Sequence, residues 1–85
     1  MPEDEVAKRI KQIIAEKLQL DESRLTDSTS LVRDLEADSL EQSDIIFTIE
    51  DEYNLTPEYS FTPPARIGPL IGYFMGQIEK QKHQN

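Results

Sequence analysis

A chain of 85 residues with a net charge of −8 makes one small domain, and a domain of this size buries only about two-thirds of its extended surface. It has no Cys and a single His, which excludes disulfides and any thiolate of its own. Residues 34–65 hold nine acids and no Lys or Arg, a field that repels phosphate backbones and anionic lipid, so no nucleic-acid role is expected.

The first predicted helix runs from about Pro2 or Glu3 to Leu18. Pro2 suits a first turn, and Glu3, Asp4 and Glu5 suit the positive end of the helix dipole. Val6, Ile10, Ile13, Ile14 and Leu18 fall on one apolar stripe, with Lys8, Arg9, Lys11 and Glu16 outside it. Residues 19–37 lose that period and are rich in Asp, Ser and Thr. So long a loop is unusual in a compact domain, and Leu20, Leu25, Leu31 and Leu35 are the residues expected to pin it down.

A second helix is predicted over about Ser39 to Tyr53. Two overlapping capping boxes mark its start, Asp38-x-x-Glu41 and Ser39-x-x-Gln42. On this evidence alone Ser39 is most simply an N-cap, although an anion carried on its hydroxyl would also be stabilised at the positive helix end. At about 100° per residue, Ile45, Ile46, Ile49 and Tyr53 share a core-facing side. Leu40, Asp44, Phe47 and Asp51 fall almost opposite, flanked by Glu41, Thr48, Glu50 and Glu52. Burying a Phe side chain yields roughly 1.5–3 kcal/mol, so one held out among carboxylates invites a partner. The plainer reading of this face is a solvated acidic surface.

Residues 54–68 read as loop. Thr56-Pro57-Glu58 can open a single helical turn, and Pro63-Pro64 stops any continuation. The last helix starts near Gly68-Pro69 and ends at about Lys80 or Lys82. Its stripe is Ile67, Leu70, Ile71, Phe74, Met75 and Ile78, and its terminal lysines suit the negative end of the dipole. His83 lies in a polar tail, residues 81–85, that is expected to fray.

No nucleophile, base and orienting group can be assembled from one His and no Cys, and no glycine-rich phosphate loop is present. A calcium loop counted from Asp34 puts Ser39 where Gly is required and Ile45 where Glu is required, so no metal site is expected. No apolar run is long enough to span a membrane, and the acidic start Met-Pro-Glu-Asp-Glu is unlike a signal peptide. A cytoplasmic chain is the expectation.

Asp38-Ser39-Leu40 after Leu35, followed by an acidic amphipathic helix, resembles the acyl/peptidyl carrier protein family over about residues 5–80. The resemblance implies a 4′-phosphopantetheine arm, taken from coenzyme A by a phosphopantetheinyl transferase with magnesium, joined to the Ser39 hydroxyl as a phosphodiester. Asp38 and Leu40 would flank the attachment point. Glu41, Asp44, Phe47, Glu50 and Asp51 would lie on a helix read by acyl-transferring or acyl-modifying enzymes with basic docking patches. The chain would be a non-catalytic, monomeric carrier that holds acyl cargo as a thioester.

Departures from the family pattern accompany the resemblance. Glu36 stands where the family usually has Gly, Ser43 where many fatty-acid carriers have a bulky apolar residue, and Phe47 where Met or Val is commoner. With Pro63-Pro64 in the third-helix region, these point to a specialised lipid, polyketide, aminoacyl or peptidyl pathway. The expected fold is an all-α, up-and-down four-helix bundle with a long first loop and a short or degenerate third helix. It forms one carrier domain over residues 1–85, with its core in about 3–80. The rival from another class is an unmodified acidic adaptor that binds a basic partner through Leu40 and Phe47.

Overall fold

Three α-helices carry the chain in the computed structural model, which describes residues 3–57 and 62–82. They are α1 (Glu3–Leu18), α2 (Ser39–Glu52) and α3 (Ile67–Lys82), with one 3-10 turn at Glu22–Arg24. Among the described residues there is no strand, only an isolated antiparallel bridge between Ser30 and Arg66. The expected all-α class holds. The short helix expected from Thr56 falls partly on residues 58–61, outside the described residues, and the flanking stretches 55–57 and 62–64 are not helical. His83 also lies outside them. Gln81 and Lys82, assigned from sequence to a frayed tail, belong to α3.

The apolar stripe of α1 is the centre of the core. Val6, Ile10, Ile13 and Ile14 are buried, as are Ile45 and Ile49 of α2 and Ile67, Leu70, Ile71 and Phe74 of α3. At roughly 1.5–3 kcal/mol for each large side chain removed from water, this cluster is the main force holding the fold. Helix α1 packs against both α2 and α3. Polar links reinforce the α1–α2 seam at its rim: Arg9 Nη2 donates to Glu52 Oε1 at 2.8 Å, and Lys17 Nζ lies 3.1 Å from Asp44 Oδ2.

Both α1 and α2 end in the same way. Gln19 and Asn54 have φ of 56°, and the following N–H groups close back onto the helix. Leu20 N–H donates to the Ala15 carbonyl at 3.0 Å, and Leu55 N–H to the Glu50 carbonyl at 2.8 Å. These are Schellman endings, each of which satisfies carbonyls left open by the last turn.

The long first loop is held at the four expected leucines: Leu25 and Leu31 are buried, and Leu20 and Leu35 pack partly buried against the core. Its backbone does a second job. Ile67 N–H donates to the Thr29 carbonyl at 3.0 Å and Gly68 N–H to the Asp27 carbonyl at 2.8 Å, while Leu31 N–H donates to the Ala65 carbonyl at 2.9 Å. The first N–H groups of a helix have no partner within it, and here the loop supplies carbonyls to those of α3. The loop then turns at Ser30–Leu35, where Ser30 N–H donates to Asp34 Oδ2 at 2.7 Å. Glu36 takes a left-handed φ of 54°, and Ala37 N–H donates to the Leu31 carbonyl at 2.8 Å. These bonds deliver the chain to the start of α2.

Candidate functional site at the start of α2

Asp38 is the residue that caps α2. Its backbone is extended, with φ −83°, as a cap requires. Glu41 N–H donates to Asp38 Oδ1 at 2.8 Å, and Asp38 N–H donates to Glu41 Oε1 at 2.9 Å. Of the two boxes legible in the sequence, this one forms. The other does not: Gln42 Nε2 turns past Ser39 to donate to the Ala37 carbonyl at 3.1 Å. Ser39 is therefore not the N-cap but the first helical residue, and it is exposed. With Asp38 acting as cap, the Ser39 hydroxyl is left to face solvent at the positive end of the helix.

The outer side of α2 runs from this point. Leu40 is 81% exposed and Phe47 53% exposed. Glu41, Asp44 and Asp51 are exposed around them, with Asp44 already in contact with Lys17. Val32, on the loop, is also an exposed apolar residue. Sequence reasoning passed over it because an irregular segment offers no period from which to assign a face.

Glu50 departs from the set expected on that surface. It is only 8% exposed, and its Oε1 is buried without a hydrogen-bond partner. Burial raises its pKa above the ordinary glutamate value, because removing a carboxylate from water disfavours the charged form. The helical period places residue 50 beside Phe47 and Asp51, but it does not reveal the segment that covers it.

What Glu50 borders is a groove of about 340 Å³ that begins at Ser39 and runs along α2. Gln42 and Ser43 line the end near Ser39, and Ile46, Phe47 and Glu50 the far end. Pro57, Thr62, Pro63 and Pro64 form an opposing wall, with Tyr73 reaching in from α3. The wall is largely apolar, and the two prolines read from sequence as a helix stop are part of it.

An exposed serine at a capped helix start, opening onto an apolar groove, fits a phosphodiester-linked arm. The linkage places a negative charge where the helix dipole favours one, and the groove can shelter what the arm carries. Among the described residues no group of His, Cys, Asp or Glu is arranged to hold a metal ion, and no helix is long and apolar enough to cross a membrane.

Comparison with known proteins agrees with this geometry. The family model described as "Phosphopantetheine attachment site" matches residues 8–59, a span that includes Asp38-Ser39-Leu40. The chain is 33% identical over 79 residues to the acyl carrier protein of Thermotoga maritima, covering 92% of this chain and 93% of the relative. It is 36% identical over 74 residues to the acyl carrier protein of Lactobacillus acidophilus, covering 86% of this chain and 92% of the relative. The chain belongs to the acyl carrier protein family, and its cofactor is 4′-phosphopantetheine. Members of this family carry acyl groups rather than transform them, and they work with phosphopantetheinyl transferases and acyl-handling enzymes.

Proposed function

We propose that this chain is a cytoplasmic carrier, modified at Ser39, that presents an acyl intermediate to successive enzymes of a specialised biosynthetic route. The observation that carries the reading is the division of labour at the start of α2. The Asp38–Glu41 box caps the helix without using the Ser39 hydroxyl, so esterifying Ser39 takes no capping bond away. When bound, the arm supplies the thiol that a chain without Cys lacks.

Each named residue then has a task. Ser39 Oγ is the attachment atom, and Asp38 and Leu40 present the tripeptide to the transferase. Glu41, Asp44 and Asp51 make an acidic surface around Leu40 and Phe47, which supports docking of enzymes with basic patches. Such a field raises association rates more than final affinity, and this suits a shuttle that must also leave. Glu50 is buried and is not part of that surface.

The test is an intact-mass measurement after incubation with coenzyme A, magnesium and a broad-specificity phosphopantetheinyl transferase. One arm should be gained by the native chain and none by Ser39→Ala. An unchanged mass with several transferases would leave the acidic adaptor as the better account of the exposed Leu40 and Phe47.

A further inference from the structure

The groove beside Ser39 has apolar walls and, among its described lining residues, one charged group, Glu50. That carboxyl has Oε1 buried with no partner. Buried polar groups in folded proteins are nearly always hydrogen-bonded, so an unpartnered oxygen on a residue that lines a groove calls for an explanation. Docking on the exposed acidic face is not one, because Glu50 is 8% exposed and belongs to the lining of the groove. Holding the fold together is not one either, since a buried carboxylate oxygen with no partner destabilises.

We infer that Glu50 selects cargo: the groove favours an acyl group that bears a hydrogen-bond donor, a hydroxyl or an amine, near its thioester end. The inference rests on the carrier reading and extends it. Glu50 follows Ser39 by eleven residues on one continuous helix, which separates them by about 16 Å along the axis. An extended chain advances roughly 1.2 Å per bond, so an arm of about a dozen bonds spans on the order of 15 Å. The carboxyl therefore lies at the depth where the arm ends and the cargo begins.

Ile46, Phe47, Pro57 and Tyr73 line the groove with Glu50, and a hydrogen bond made among apolar side chains is stronger than one made in water. An unsubstituted acyl chain would bury the oxygen further and leave it unpaired. A donor on the chain would satisfy it. A site built to accept a hydrogen bond discriminates strongly against an analogue that lacks the donor.

The experiment uses the full chain carrying the arm on Ser39, loaded through a stable amide link with hexanoyl, β-hydroxyhexanoyl or β-aminohexanoyl. Melting temperature and the titration midpoint of the Glu50 carboxyl, followed by carbon NMR, are measured for each. Both donor-bearing forms should melt about 4 °C or more above the hexanoyl form. The amine should also draw the Glu50 midpoint down further than the hydroxyl. Glu50→Met, similar in length and apolar, should erase the preference. Equal melting for all three cargoes would overturn the inference, as would a preference that survives in Glu50→Met. A Glu50 midpoint that the bare arm moves as far as either donor would assign the carboxyl to the arm and refute selection of cargo. Loading that succeeds without discrimination sinks only this inference, whereas failure to accept the arm at Ser39 sinks the carrier reading and this with it.

Discussion

Gly68 lies directly against Asp27: its N–H donates to the Asp27 carbonyl at 2.8 Å, and a Cβ built on it would stand 2.9 Å from Asp27 Cβ and 3.1 Å from that carbonyl oxygen. Two of its three nearest neighbours are backbone atoms, which cannot swing aside. Gly68→Ala should therefore destabilise by about 1–3 kcal/mol, the usual range for overpacking. Gly72→Ala is the control. Nothing lies within 4 Å of a Cβ there, and removal of a helical glycine should stabilise by up to about 1 kcal/mol. Thermal melts of the two variants should move in opposite directions, by roughly 4–8 °C per kcal/mol.

Glu36 is held at φ 54° two residues before the cap. A left-handed backbone costs a residue with a Cβ roughly 1–2 kcal/mol, and glycine takes it freely. Glu36→Gly gives part of that back through its looser unfolded chain, so a net gain of about 1 kcal/mol is expected. Chemical denaturation should show a higher midpoint at unchanged slope. A fall in midpoint would mean that the Glu36 side chain contributes more than its backbone costs.

Two neighbouring acids should shape the pH profile in opposite senses. Burial raises the folded-state pKa of Glu50. The folded chain then binds its proton more tightly than the unfolded chain. Stability is fully present below the ordinary glutamate value and is lost as pH rises through the raised one. Glu50→Gln should remove that loss, stabilising at neutral pH and doing little in acid. Glu52 is the reverse: its hydrogen bond from Arg9 lowers its pKa. Its contribution is present above the ordinary glutamate value and fades as pH falls through the lowered one. The Arg9 and Glu52 side chains are 37% and 33% exposed, so water and salt screen the pair and Glu52→Gln should cost no more than about 1 kcal/mol. Denaturation across the acid range tests both signs.

Phe47→Ala should leave melting within about 1 kcal/mol of the native chain, since half-exposed surface positions contribute little to folding. Reaction rates with enzymes that dock on the acidic face should fall, with most of the loss in the association step. A large drop in stability would show that the ring's contact with the groove, rather than its exposed edge, is its main role.

Asp38 separates structure from recognition. Asp38→Asn keeps an acceptor for the helix cap, whereas Asp38→Ala removes it and should cost about 1 kcal/mol. If the transferase reads the charge of Asp38, both variants should be modified slowly. If it reads only an ordered helix start, Asp38→Asn should be modified at the native rate. Helicity by circular dichroism and arm transfer by mass, measured on the same samples, distinguish the two.

The parts of this molecule legible in sequence are those governed by local rules. The stripe from Val6 to Leu18 and the Asp38–Glu41 box depend on residues within a few positions of one another, and both appear as read. The role of Ser39 was harder, because two capping boxes compete in the letters and only geometry shows which one closes. Helical angle points Glu50 to the outer face because it sets direction but not what lies beyond it, and the opposing wall comes from Pro57, Thr62, Pro63, Pro64 and Tyr73. The carbonyls of Asp27 and Thr29 that close α3 are main-chain atoms, and the mark this crossing leaves in the letters is Gly68, where no Cβ fits against Asp27.

That last arrangement has an evolutionary corollary. Because the third helix is closed by main-chain oxygens, no exchange of side chains at positions 27 and 29 can by itself take the acceptors away. The path of the chain at this crossing therefore survives exchanges that would break a cap made by a side chain. Only edits that reroute the backbone, an inserted residue or a misplaced proline, would reach it.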